Sequence, residues 1–217
     1  MTSADGTQEG FRTFLILRTD GPQASNKAVE GVEAEVADRI HRLDGFLSSR
    51  THLGLDRDVV VHSVAWRDEA SARDGYPAGL SETLLARLGR TVMLRTDLVG
   101  GTPSPGVRGP AAGRPPGLVC VAVRYVADHA AAQAMADLLR RSGDWKQDFP
   151  GFISATPYIS ADGRTYINYP QWADRGAFEA YMADRRNAAG QQDIGDLEVA
   201  PPDLLLCTLV AETAAAG

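Results

Sequence analysis

The sequence is poor in lysine, cysteine and long apolar runs, and each shortage excludes something. Basic residues number 22 against 28 acidic ones, 20 of the 22 are Arg, and the formal net charge is −6. A broad positive surface for phosphate backbones is therefore lacking, and nucleic acid is not an expected partner. No apolar run approaches the roughly 18 residues of a membrane helix. The longest, Leu204 to Ala211, has the length of a strand. The first ten residues, MTSADGTQEG, lack the basic and apolar regions of a signal peptide, so a cytoplasmic location with no membrane partner is expected. The only cysteines, Cys120 and Cys207, sit in apolar strand-like runs and read as reduced core thiols, not a disulfide framework. Four histidines without tight ligand spacing give no metal site. The glycines concentrate in one stretch without a strand–loop–helix context, so a phosphate loop is not expected.

What is present is apolar material, 44% of 217 residues, enough for one large core or two small ones. A repeat decides for two. Sliding the chain by 106 residues brings Arg18 onto Arg124 and Asp44-Gly45-Phe46-Leu47-Ser48 onto Pro150-Gly151-Phe152-Ile153-Ser154. The same slide matches Asp56 with Asp162, Trp66 with Trp172, and Asp68 with Asp174. Such internal similarity marks a duplicated structural unit. Between the copies, 11 of the 18 residues from Gly100 to Gly117 are Gly or Pro. That composition forms neither a packed helix nor a central strand, and it reads as a semi-extended linker. The expected organisation is a flexible tail over 1–10, repeat one over 11–99, the linker over 100–117, and repeat two over 118–213.

Each repeat reads as strand, helix, strand, strand, helix, strand. Phe11–Thr19 is an apolar, β-rich run, followed by a polar turn at Pro22. Val29, Val32, Val36, Ile40 and Leu43 then recur at three- and four-residue spacing, the stripe of an amphipathic helix. Asp44-Gly45 ends it. Strands follow over Phe46–Leu53 and Val59–Trp66, joined by a turn at Leu55-Asp56-Arg57. The second repeat has Asp162-Gly163 at that turn, a strong hairpin signal. Asp68 and Asp174 stand two residues after each Trp, as N-caps of the next helix. In repeat two this helix places Phe178, Tyr181 and Met182 on one face. Repeat one is more broken, with Gly75, Pro77 and Gly79 before a helical Ser81–Leu88. Last strands are expected over Arg90–Val99 and Leu204–Val210. Val59-Val60-Val61 is apolar on consecutive residues, so this strand is covered on both faces.

Gly-Phe at the start of the second strand, Asp(-Gly) at the hairpin, and Asn168-Tyr169-Pro170-Gln171-Trp172 before an Asp-capped helix resemble the antibiotic biosynthesis monooxygenase family. The resemblance covers both repeats. It implies an α+β fold: two ferredoxin-like βαββαβ repeats forming an intramolecular dimeric α+β barrel. It also implies a monooxygenase of antibiotic biosynthesis that oxidises an aromatic polyketide with O2, converting a phenol or anthrone to a quinone or opening a ring oxidatively. No flavin, haem or metal is implied, although reduced flavin supplied from outside stays open. The partner is a small aromatic substrate. Fusion of two units closes one interface within the chain and leaves further pairing into a homodimer open.

The family's Asn-x-x-x-Trp pattern carries over onto Asn168 and Trp172, with His62 and Trp66 at those places in repeat one. Positions four apart on a strand share a face. The indole offers an aromatic wall with one N–H donor, and the amide a donor and an acceptor, a set suited to a flat polyphenol. His62 is the candidate base or orienting group. Arg18 and Arg124 are candidates to hold an oxyanion. His52, Tyr158 and Phe178 complete the expected substrate contacts, the first two with their face unsettled by the hairpin register. Each of these has a bland counterpart as core filler, satisfied polar residue or salt-bridge partner. The first strands hold Leu17 and Val123 where some quinone-forming relatives carry a further Asn. The alternatives are a cyclase or isomerase on the same fold and a non-catalytic small-ligand binder. Haem degradation fits poorly, because Tyr76 and Met182 occupy the place, ten residues past each Trp, where such relatives have His. Repeat two has the fuller motif, so its pocket is the expected seat of activity.

Overall fold

The computed structural model describes residues 9–76, 82–89 and 93–215. The chain divides into unit one, residues 1–100 with 209–217, and unit two, residues 101–208. Each has the ferredoxin-like strand–helix–strand–strand–helix–strand order.

Unit one comprises β1 (Phe11–Thr19), α1 (Pro22–Asp38), β2 (Phe46–Gly54), β3 (Val59–Trp66), α2 (Glu69–Gly75), α3 (Glu82–Leu88) and β4 (Met93–Pro103) up to Gly100. Its strands run in the order β4-β1-β3-β2. The end of the chain supplies another edge: Ala215 N–H donates to the Leu47 carbonyl at 2.9 Å, and Arg50 pairs with Glu212 at 2.7 Å. The predicted helix stripe is the one that packs, with Val32, Val36 and Ile40 buried and Val29 and Leu43 partly so. Pro22 opens this helix instead of forming a turn before it, as its fixed φ suits the first helical position. Every residue of β3 is buried, as consecutive apolar positions require. The supposed flexible tail is tied down at its end: Gly10 N–H donates to the Trp66 carbonyl, and Glu9 is buried against Arg12 at 2.7 Å. Pro77, Gly79, Ser81 and Arg90 lie outside the described residues.

Unit two comprises β5 (Val107–Arg108), β6 (Leu118–Val126), α4 (His129–Ser142), a 3-10 turn (Asp144–Asp148), β7 (Phe152–Ile159), β8 (Thr165–Trp172), α5 (Arg175–Ala183), α6 (Arg185–Gly195) and β9 (Glu198–Ala214) up to Thr208. Its order is β9-β6-β8-β7-β5. Residues 101–117 do more than connect. Thr102 pairs with Ile159 and Val107 with Ala155, so this stretch lies along the β7 edge as a strap. Asp174 caps α5 through Ala177 N–H at 2.8 Å and Asp68 caps α2 through Ser71 N–H at 2.8 Å, as the spacing predicts.

The duplication is visible down to a bulge, which falls between Phe46 and Ser48 in β2 and between Phe152 and Ser154 in β7. One correction follows from register. Phe11 pairs with Trp66, whereas Leu118 pairs with Trp172. The Trp-bearing strands therefore match 106 residues apart, but the first strands match 107 apart. Arg124 corresponds to Leu17, not to Arg18, and a one-residue slip reverses which face a side chain takes.

Candidate active site

In unit two the period of two along β8 sends Tyr166, Asn168 and Trp172 to the helix-covered face. Arg124 stands opposite Tyr166 on β6, and Asn168 lies between Ala122 of β6 and Pro157 of β7. Asn168 and Tyr166 border a hollow of about 30 Å³, together with Ala136 and Leu139 of α4 and Lys146 of the 3-10 turn. Pro105, Gly106 and Val107 of the strap close its side. That volume holds about one water, far below the several hundred Å³ of an occupied ligand pocket. A flat substrate enters only if the strap or the helices give way.

The polar groups at and behind this hollow are cationic and donor-rich, with Lys146, Tyr166 and Asn168 bordering it and Arg124 and Tyr181 beyond. Arg124 is buried and paired with Glu198, while its Nε has no partner among the described residues. Lys146 is buried, and its ammonium lies over the Tyr181 ring, 5.0 Å from the centroid. Burial, and then the nearby Arg124 charge, bring the Lys146 pKa down to about 8. Burial pushes the Tyr166 and Tyr181 phenols upward, with Arg124 opposing, so both stay protonated donors near neutral pH. Amine, amide, guanidinium and phenol donors suit a developing oxyanion. Among the described residues, no three His, Cys, Asp or Glu side chains come together as a metal site.

Trp172 does not border the hollow directly. It is 1% exposed and packed among Phe149, Phe152, Phe178 and Tyr181, with ring centroids 4.9–6.0 Å away. Tyr181 stands between it and Lys146. Phe178 meets Trp172 edge to face at 6.0 Å, as its helix face predicts, but Met182 is 45% exposed and leaves that face. The Trp172 indole Nε1 is buried with no hydrogen-bond partner among the described residues. Buried donors are usually satisfied, so this N–H is a conspicuous exception.

In unit one Trp66 is fully buried, and its Nε1 donates to Thr13 Oγ1 at 3.0 Å. Thr13, Phe11, Ala72 and Tyr76 border a cleft of about 210 Å³ that also touches Leu98 and Val99 of β4. The Tyr76 hydroxyl is buried without a partner among the described residues. His62 is elsewhere on this face. Thr51 Oγ1 donates to Glu33 at 2.6 Å, so it accepts from His62 Nδ1 at 2.9 Å. That chain places the His62 proton on Nδ1 and leaves Nε2 a buried acceptor with no partner among the described residues. Burial, then the neighbouring His52, lower the His62 pKa to about 3. A neutral imidazole so reluctant to take a proton is poorly matched to base catalysis near neutrality.

The predicted residues thus fall into two sets. Asn168, Trp172, Arg124 and Phe178 gather on the helix side of unit two, and His62 and Trp66 on the helix side of unit one. Arg18, His52 and Tyr158 take the opposite sheet faces. Arg18 pairs with Val59, His52 with Val61 and Tyr158 with Ile167, each one position out of phase with the Trp-bearing face. They do not reach these hollows. His52 Nδ1 meets the Val61 carbonyl at 3.2 Å, and burial lowers its pKa to about 3. Sequence reasoning missed Lys146, Tyr76 and Thr13. The one available signal was that Lys146 is one of two lysines in a chain of 20 arginines.

No family model matches the chain. It is 40% identical over 63 residues to tetracenomycin-F1 monooxygenase of Streptomyces glaucescens, a match over 29% of this chain and 49% of that protein. The chain therefore spans about half the length of the curated relative it matches. Its fold superposes on an anthrone oxidase-like protein with TM-score 0.81 at 18% identity, over 99% of this chain and 96% of the other. A protein described as a monooxygenase, from Fusobacterium nucleatum subsp. nucleatum, superposes with TM-score 0.67 at 8% identity, over 96% of each chain.

Proposed function

We propose that this chain, whose curated match and shared fold support the antibiotic biosynthesis monooxygenase family, oxidises an aromatic polyketide with O2 in the hollow of unit two. The relative's name, tetracenomycin-F1 monooxygenase, and the anthrone-oxidase likeness of the fold support a phenol or anthrone as substrate. One observation carries the choice of lobe. Asn168 opens on a hollow lined by buried donors, and Trp172 on the same sheet face keeps an uncommitted N–H.

An acidic phenol or activated CH2 first loses a proton. The electron pair left behind spreads onto the ring oxygen, where the Asn168 amide at the rim stabilises it as a fixed donor and the positive charge of the nearby Arg124 adds to the effect. The resulting anion passes an electron to O2, the two radicals combine, and a peroxide forms on the substrate carbon. Loss of water then leaves a carbonyl. In balance, CH2 and O2 give C=O and H2O, so one oxygen atom stays in the product and no outside reductant is needed. The aromatic packing around Trp172 keeps bulk water from the intermediates.

The test is O2 uptake with candidate anthrones and phenols, run under air and under argon, without added flavin and after metal chelation. O2-dependent turnover whose product gains one oxygen and loses two hydrogens supports the reading. Turnover indifferent to O2, with a product of unchanged oxygen content, replaces it with the cyclase alternative.

A further inference from the structure

We propose that Lys146 is the catalytic base that takes the substrate proton in unit two; this rests on the reading of that hollow as the reaction site. The geometry carries the proposal. Lys146 and Asn168 border the same hollow, and the Lys146 amine stands beside it over the Tyr181 ring, 5.0 Å from the centroid. The 3-10 turn presents it rigidly, with Lys146 N–H donating to the Gly143 carbonyl at 2.9 Å. Gly143 itself makes room: a Cβ there would lie 3.2 Å from Nζ and 3.3 Å from Cε.

A buried lysine kept for structure is ordinarily paired with a carboxylate. Lys146 is 8% exposed, and no carboxylate pairs with it among the described residues. The charged and titratable groups around it are Arg124 of β6, Arg140 of α4, Tyr166 of β8 and Tyr181 of α5, with Asp144 and Asp148 exposed on its own turn. The nearby carboxylate Glu198 is committed to Arg124. Two of these neighbours are cations, two are neutral phenols, and β7 and the strap add none from Ala155, Pro157 or Pro105–Val107. Such surroundings favour the neutral amine, whose lone pair is what a base needs. In the step, the C–H or O–H bond breaks, its proton moves to Nζ, and its electron pair remains on the substrate. The ammonium formed then neutralises the enolate beside it and later returns the proton to the distal peroxide oxygen; the O–O bond breaks, that oxygen leaves with the second C–H proton as water, and the proximal oxygen stays as the carbonyl.

Lys146→Met keeps the stem and removes the amine, and Lys146→Arg keeps a charge that cannot become neutral. Wild-type kcat/KM is expected to rise with pH through about 8 and then level off. Lys146→Met should lose that limb, drop about 100-fold or more in kcat with little change in KM, and recover partly with added methylamine, as general-base removal predicts. Lys146→Arg should be equally slow and not rescued. Variants that keep wild-type kcat and the same pH limb overturn the base and leave the oxygenase reading standing. A wild-type chain that consumes no O2 overturns both. Where the Met variant fails to fold, reductive methylation of Lys146 in the wild-type chain, followed by mass spectrometry across pH, decides. A midpoint near 8 supports the amine, and one above 10 overturns it.

Discussion

Trp66 donates its indole N–H to the Thr13 hydroxyl at 3.0 Å, and the residue matched to Thr13 in unit two is Cys120. A thiol is a weak acceptor, and burial pushes this one up to about 12, so it stays protonated. One lobe thus satisfies its indole internally, and the other leaves that buried donor without a partner among the described residues. Thr13→Val should orphan the Trp66 donor and cost about 1–3 kcal/mol in denaturant unfolding. Cys120→Thr should do the reverse, raising stability by about 1 kcal/mol while lowering kcat/KM for the aromatic substrate.

The two indoles should also differ in function. Replacing either with Ala empties a packed cluster and costs about 3–5 kcal/mol, which obscures any catalytic effect. Phe removes the N–H and keeps a ring. Under the proposed function, a substrate that opens the hollow as far as Trp172 would take its free N–H, and Trp172→Phe would then lower kcat by roughly tenfold or more, the loss of one fixed donor to a developing oxyanion. Trp66→Phe should leave kcat within about twofold, because its N–H is already committed to Thr13. Equal losses from both, with both variants folded, would assign the chemistry to both lobes.

How much of this was legible beforehand depended on whether a residue left a periodic or local mark. The α1 stripe, the Asp68 and Asp174 caps, and the Asp162-Gly163 turn follow from local rules, and the structure keeps them. The register of the first strands does not. Phe14–Leu17 and Leu118–Val123 are apolar on consecutive residues because both sheet faces are buried, so no alternation distinguishes a slide of 106 from one of 107. Arg18 and Arg124 met in sequence by that accident and point to opposite faces in space. Lys146 escaped for another reason. It lies in a five-residue turn between helix and strand, where neither period applies, and only its burial and neighbours make it notable.

The hairpin turns predict a stability difference between the lobes. Arg57 has φ +56°, and its counterpart Gly163 has φ +69°. This left-handed conformation is free to Gly and costs other residues about 1 kcal/mol or more. Arg57→Gly should therefore stabilise the chain by up to about 1 kcal/mol in chemical denaturation. Gly163→Ala should cost more than that, because a Cβ there would lie 2.5 Å from the His129 backbone. Thermal melts of the two variants against wild type should move in opposite directions.

Acid should loosen the fold through two histidines. His52 and His62 take up a proton near pH 6.5 in the unfolded chain but only near pH 3 in the fold, since burial opposes their charge. The unfolded state therefore binds more protons between those values. The stability they contribute is full above pH 6.5 and is lost as pH falls toward 3, at up to about 1.4 kcal/mol per pH unit for each. Urea midpoints at pH 7.5 and 5.0 should fall in that order, and His62→Gln should flatten the dependence. A midpoint that does not change over this range would show that neither imidazole is held neutral.

The strap of residues 104–108 stands outside both repeats, yet it walls the chamber beside Asn168. Under the proposed function, admission to that chamber would be governed by a segment that neither lobe's sheet depends on for its own hydrogen-bonded centre. Gly106 seats it closely, since a Cβ there would lie 2.5 Å from the Ala155 carbonyl oxygen. Breadth of substrate choice would then drift by exchange of a few small residues along one rim, leaving the proposed reacting groups behind it untouched.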